Sequence, residues 1–357
     1  MNSARHGRSI FMRRSFAAGS PWYQAERAAP IRRSVAKLAP RTGSSVPDSS
    51  TIRQSAAWTT TAAVVAALVC GVTAIDDPPW ALDRLDQRTL PLDRRVDRSS
   101  DGRGVHAYIV DTGIRKTHQE FGGRADWIGD FVNGNPASRD ADDCDPAPGH
   151  GTLVASLLGG RTFGIAPGAR LHALRILPCG GTTRTDLPAA VRAIDWITAH
   201  GQKPAVVNIS PGRWETPDRS LDEAIERSIR AGFVYVVSAG GVEHLEAYTP
   251  QRIPDVIKVG ATDRSDRAAQ AGYGPTLTLF APGIDIRGAG RAGDSADVTW
   301  EGDSFAAPLA AGVVARYLQR HPRATPADAM RALTGSATRD VVGNAGQAPN
   351  LLLHVVE

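Results

Sequence analysis

The chain has 357 residues, enough for one large domain or two ordinary ones plus tails. With 42% apolar and 22% charged residues, 36 Gly and 24 Pro, it is not a coiled coil, a collagen or a wholly disordered polymer, and three cysteines exclude a disulfide-dense mini-scaffold. The net charge of +4 is carried by one end: residues 1–56 hold ten of the 41 basic residues and only two acids, Glu26 and Asp48. The other 31 basic and 35 acidic residues leave the bulk of the chain mildly acidic, so a basic groove for nucleic acid is not expected.

Residues 1–57 are rich in Arg, Ser, Ala and Pro without apolar periodicity and read as a basic, disordered leader. An uncharged stretch follows from Gln54 to Ile75, and its apolar heart, Ala62–Val72, is shorter than the roughly 20 residues a membrane helix needs. Arg53 before it and Val72-Thr73-Ala74 after it fit an export signal over 58–75; a retained anchor and a buried core helix are the alternatives. Either export reading puts the chain beyond Ile75 outside the cytoplasm, because basic flanks stay inside. Residues 76–357 then form the folded domain, expected to be a monomer.

From Val105 the pattern changes. Val105–Val110, Leu171–Leu177, Ala205–Ile209, Val234–Ser238 and Val256–Val259 are short apolar, β-rich runs bounded by turn residues. Helical spacing predicts Ala189–His200, with Val191, Ile194 and Ile197 on one face, and Leu221–Ala231, with Ser220 as its N-cap. Strand and helix in alternation predict an α/β fold: a central, mostly parallel sheet with helices on both faces, in three layers, and active residues at the carboxyl ends of strands.

Three motifs carry chemistry. Val110-Asp111-Thr112-Gly113 ends a buried strand in a carboxylate that needs hydrogen-bond partners; by itself it is equally a turn aspartate. Gly149-His150-Gly151-Thr152 opens the small apolar run Leu153–Leu158, and its glycines allow backbone or substrate close to the imidazole; a lone histidine is more often structural. Gly302-Asp303-Ser304-Phe305-Ala306-Ala307-Pro308 sets a serine at the start of an apolar helix through Leu318, where unpaired N–H groups favour negative charge, or where serine is merely a cap. Jointly they are far more specific. A hydroxyl becomes nucleophilic when an imidazole takes its proton, and that imidazole needs a carboxylate to orient it and stabilise its charged form.

With its Asp…His…Ser order, the chain resembles the subtilisin-like serine proteases, and most closely their proteinase K branch, from Pro78 to Leu353. Pro79-Trp80-Ala81-Leu82-Asp83-Arg84, Leu90-Pro91-Leu92-Asp93, Gly164-Ile165-Ala166-Pro167, Ala281-Pro282-Gly283 and Pro349-Asn350-Leu351-Leu352 add to the likeness. The resemblance implies an exported serine endopeptidase with Asp111 as orienting acid, His150 as general base and then acid, and Ser304 as the acylated nucleophile. It further implies that Gly180-Gly181-Thr182 pairs with an extended peptide or protein substrate, and that Ser210-Pro211-Gly212 and Ser238-Ala239-Gly240 line the first specificity pocket. Pro211 and Arg213 depart from the family pattern there. A Cys144–Cys179 disulfide is implied by some heat-stable relatives and suits an oxidising compartment, whereas two cysteines without a nearby His pair make a poor zinc cage.

Four departures stand out. The family's oxyanion-binding asparagine is replaced by Gly241, and loss of one such donor costs about 10²–10³-fold in turnover. The residue before the nucleophile, usually threonine, is Asp303, whose carboxylate would repel the oxyanion unless it is turned away or protonated; if protonated, it could itself donate, favouring acidic pH. His244 is a candidate to fold back and help. Thr278 stands where a calcium-binding aspartate is common, so calcium is not claimed and no cofactor is expected, and the folding-assisting segment usual between signal and catalytic domain is missing. Gly241 and Asp303 also motivate the alternative of a catalytically impaired, peptide-binding protein of the same fold.

Overall fold

The computed structural model describes residues 78–132, 140–145, 148–179, 186–211, 214, 218–270 and 273–356. All fall in the unit Val64–Glu357. The leader and the export segment 58–75 lie outside the described residues, as do Gly180, Gly181, Thr182, Gly212 and Arg213. Among the described residues no helix is long and apolar enough to cross a membrane.

Short, mostly buried apolar runs build the middle layer. Strands β1 (His106–Asp111), β2 (Ala125–Asp130), β3 (Arg170–Arg175), β4 (Ala205–Ile209), β5 (Val234–Ser238), β6 (Ile257–Thr262) and β7 (Leu279–Pro282) run parallel. A short antiparallel pair, β10 (Thr338–Arg339) and β11 (Leu351–Leu352), extends the β7 edge, giving the order β10-β11-β7-β6-β5-β4-β1-β3-β2. A separate hairpin joins β8 (Ile286–Ala289) to β9 (Asp297–Trp300). In β1, Ala107 and Ile109 enter one core while Tyr108 and Val110 enter the other; Val234 and Val236 oppose Tyr235 and Val237 in β5 in the same way. Both faces must therefore be covered, and the helices do this.

On the first face lie α2 (His150–Gly159), α5 (Asp303–Arg320) and α6 (Pro326–Ser336), with the short α1 (Trp80–Leu85) at the margin. Helix α5 runs under β4, β5, β6 and β7 and is apolar nearly all round, because 14 of its 18 residues are buried. On the second face lie α3 (Leu187–His200) and α4 (Arg219–Arg230). The expected three-layer α/β arrangement is what forms.

Local differences have local causes. Helix α3 starts two residues earlier than its apolar spacing suggests, since Asp186 accepts the Ala189 N–H and Pro188 suits a first turn. Helix α4 is capped by Asp218, which accepts the N–H groups of Ser220 and Leu221, so the expectation of a Ser220 cap is corrected: Ser220 lies inside the helix, and its hydroxyl bonds the same carboxylate. Strand β2 escaped the reading because its sequence, Ala-Asp-Trp-Ile-Gly-Asp, neither alternates nor runs apolar.

Winding reverses at β1, which has β3 on one side and β4 on the other. Such a point leaves a crevice at the strands' carboxyl ends. Asp111, Ser210 and Ser238 stand at or just past the ends of β1, β4 and β5.

Candidate active site

Asp111 is fully buried, and its Oδ1 accepts both the Thr112 N–H at 2.7 Å and His150 Nδ1 at 2.8 Å. Facing a carboxylate, the ring carries its proton on Nδ1 and leaves the Nε2 lone pair available. His150 opens α2, and its side chain keeps 19% of its surface exposed. Gly151 makes the approach of α2 to the end of β1 possible: a Cβ there would stand 2.2 Å from the Gly113 carbonyl oxygen.

Sequence reading missed Asp143, because nothing local marks it. Its carboxylate, 1% exposed, accepts from Thr112 Oγ1 (2.9 Å), the Thr152 N–H (2.9 Å) and Thr152 Oγ1 (2.6 Å). Thr112 Oγ1 in turn accepts the Gly151 N–H at 2.8 Å. One buried carboxylate thus ties the residue after Asp111 to the residues after His150. Asp145 accepts the His150 N–H at 3.2 Å. Burial pushes the His150 pKa down, but the negative charges of Asp111, Asp143 and Asp145 outweigh it, so the ring titrates above its ordinary value.

Cys144, next to Asp143, is joined to Cys179 with a Cα–Cα distance of 5.1 Å. The implied disulfide is present. Closing 35 residues of chain contributes about 3–4 kcal/mol and anchors the segment that carries Asp143 and Asp145.

Ser304 is the second residue of α5, whose N-cap is Gly302, so the serine does not act as the cap. Its N–H belongs to the first turn, where no intrahelical acceptor exists. Its hydroxyl donates to the Ser210 carbonyl at 2.8 Å, and no hydrogen bond joins it to His150. Phe305, the next residue, packs against the His150 ring with centroids 5.3 Å apart, which brings the start of α5 to the imidazole. Ser238 Oγ also reaches the Ser210 carbonyl, at 3.4 Å. Ser210, Pro211, Ser238, Ala239 and Gly240 therefore gather where β4 and β5 end beside Ser304.

Asp303 faces away from the nucleophile. It is 6% exposed; Oδ2 accepts the Gly241 N–H at 2.8 Å, while Oδ1 accepts the Ala261 N–H at 2.9 Å and the Tyr273 hydroxyl at 2.5 Å. Burial pushes its pKa up against the pull of these three donors, and Tyr273 holds its own proton more tightly through burial and the Asp303 charge. With both oxygens spent as acceptors, the idea of a protonated Asp303 donating to a reacting oxygen is corrected. So is the idea of His244 folding back: its side chain is 74% exposed and bonds Glu246 at 3.2 Å. Thr278 spends its hydroxyl on the Lys258 N–H at 3.0 Å. Among the described residues no group of three His, Cys, Asp or Glu side chains is arranged to hold a metal ion.

The structure thus gathers a carboxylate, an imidazole and a hydroxyl at the switch point of a doubly wound α/β sheet, where ligand and active sites of such sheets lie. The profile of the subtilase family matches residues 102–351. The chain is 44% identical over 286 residues to an extracellular serine proteinase of Thermus sp. (strain Rt41A), covering 79% of this chain and 67% of that one. It is 35% identical over 278 residues to alkaline serine exoprotease A of Vibrio alginolyticus, covering 77% of this chain but half of that relative. Among solved structures, a cold-adapted subtilisin-like serine proteinase superposes with a TM-score of 0.71 at 35% identity, covering 79% of this chain and all of that one. The chain belongs to the subtilase family.

Proposed function

We propose that this protein is an exported serine endopeptidase that cleaves extended peptide segments through an acyl-enzyme on Ser304. The observation that carries this is the Asp111–His150 bond at 2.8 Å beside a serine in the first turn of α5. In the reading, Nε2 of His150 takes the Ser304 proton as Oγ attacks the scissile carbonyl, and Asp111 stabilises the imidazolium. The ring then returns that proton to the leaving amine. Water enters, gives a proton to Nε2 and hydrolyses the ester, regenerating the hydroxyl. Before reaction, Ser304 must turn from the Ser210 carbonyl toward the ring, the kind of tightening that substrate binding brings to free enzymes.

Support for export comes from the apolar segment behind a basic leader, the disulfide and the Thermus relative's extracellular name. We assign 1–57 as leader, 58–75 as signal and 76–357 as catalytic domain, acting as a monomer on peptides, without nucleic acid or metal. The alternative of an impaired, peptide-binding protein rested on Asp303 and Gly241; with Asp303 turned aside, Gly241 alone is left to carry it.

A fluorophosphonate probe is expected to label the purified protein at one residue, Ser304, and His150→Ala is expected to suppress that labelling. Mass-spectrometric mapping of the adduct checks this, and absence of labelling would falsify the reading. The pH profile supplies a second check. The base works only as neutral imidazole, and its pKa is raised, so kcat/KM should climb through an acid limb centred above the ordinary histidine value of about 6.5. A limb centred below that value would contradict the electrostatic account of the three aspartates.

A further inference from the structure

Attack by Ser304 Oγ forms a C–O bond, moves the carbonyl π pair onto oxygen and sends the serine proton to His150, so an alkoxide oxygen must be stabilised where the carbonyl oxygen was. Two aimed donors serve such an oxygen far better than one. The Ser304 N–H is one candidate donor. The Gly241 N–H is not, because it is spent on Asp303 Oδ2, and Gly241 has no side chain to offer.

The space beside Gly241 is nevertheless filled. A Cβ built on Gly241 would stand 2.8 Å from Gln270 Nε2 and 3.1 Å from Gln270 Oε1. The Gln270 carboxamide therefore occupies the volume that a side chain at 241 would take. Gln270 is half-buried, and its amide makes no hydrogen bond to any described residue, so its protons are uncommitted.

The fold delivers Gln270 there. After β6 the chain doubles back, Thr262 bridging Ala268 and the Ala269 N–H donating to the Ala261 carbonyl at 2.9 Å. The Ala261 N–H donates to Asp303 Oδ1, so the carboxylate beside the nucleophile clamps Gly241 with one oxygen and the end of β6 with the other. Position 241, the strap carrying Gln270 and the start of α5 are thereby held together.

We propose that the Gln270 carboxamide, seated against Gly241 next to the first turn of α5, is the second oxyanion donor, supplied from a different segment in place of the side-chain amide that position 241 lacks. This rests on Ser304 being the nucleophile.

The test uses the purified protein, a chromogenic peptide substrate and thermal unfolding. Gln270→Ala is expected to lower kcat about 10²–10³-fold with KM within about twofold and unfolding unchanged, since a donor to the transition state is lost and no ground-state bond is. Gln270→Glu, of the same size but accepting rather than donating when ionised, should fall at least as far. In the Gln270→Ala background, adding Gly241→Asn should recover about tenfold or more: φ of +68° at 241 is tolerated by asparagine, and the colliding amide is gone. A Gln270→Ala enzyme within about threefold of wild-type kcat, or one whose loss lies wholly in KM, overturns the assignment. The two readings fail separately: an unlabelled wild type overturns Ser304 as nucleophile and this proposal with it, whereas a labelled, active wild type indifferent to Gln270 overturns this one alone.

Discussion

Replacing Ser304 with alanine is expected to lower kcat on a peptide substrate by about 10⁶-fold while the protein stays folded. The magnitude follows from how the three groups depend on one another. Without the hydroxyl there is no acyl-enzyme, and the Asp111–His150 pair has no proton to take, so the loss approaches that of removing the whole machinery. Background hydrolysis at about 10³–10⁴-fold over water should persist, because the α5 N–H, any side-chain oxyanion donor and the substrate contacts remain. Folding should hardly notice. Ser304 is half-buried in the first turn of α5, alanine is a better helix former, and the one bond lost is that to the Ser210 carbonyl, about 1 kcal/mol. Steady-state kinetics with an active-site titration, beside urea unfolding of both proteins, checks each half. A variant retaining more than about a hundredth of the activity would mean that another group is the nucleophile.

The second large effect concerns stability. Asp303→Ala should destabilise the fold by about 3–4 kcal/mol, since it removes the acceptor of the buried Tyr273 hydroxyl and of the half-buried Gly241 N–H and leaves the Ala261 N–H only its longer, 3.3 Å bond to the Tyr273 oxygen. Each unsatisfied group costs about 1–3 kcal/mol, and partial relaxation of the exposed-side loop holds the total below the simple sum. Asp303→Asn should fall between wild type and alanine, because its one oxygen can serve one side of the clamp while its NH₂ meets a donor on the other. Urea unfolding at fixed pH measures all three proteins. A loss below about 1 kcal/mol in the alanine variant would show that the clamp contributes little to the fold. Because the same carboxylate holds Gly241 to the end of β6, surviving alanine enzyme should also have lower kcat, which an unmoved oxyanion region would not produce.

The His150 electrostatics and the Asp303 clamp show where a linear reading stops. Asp143 is one of several aspartates between 140 and 145, and only its burial against Thr112 and Thr152 separates it from Asp140 and Asp142. The charge that raises the His150 pKa comes from three positions, two of them a few residues away and one 39 residues away. Gln270 carries no signal in its own neighbourhood. Its meaning depends on the missing side chain at Gly241, which it meets only after the chain has doubled back past β6.

What the sequence by itself determined was periodic or motif-bound. Short apolar runs bounded by turn residues placed Ala205–Ile209 and Val234–Ser238 to the residue, helical spacing found the bodies of α3 and α4, and the apolar run after Ser304 found most of α5. The Asp111, His150 and Ser304 motifs, together with the Cys144–Cys179 pairing that the family resemblance implied, were equally available before any coordinates. These features survive because burial and backbone geometry act on neighbours a few residues apart. Tertiary structure alone decided the order of the nine strands, the direction in which Asp303 points, the burial of Asp143 and the company of Gly241. Those outcomes hang on which distant groups can satisfy a buried carboxylate or fill an empty volume, and that competition is settled in space, among side chains that the order of residues does not bring together.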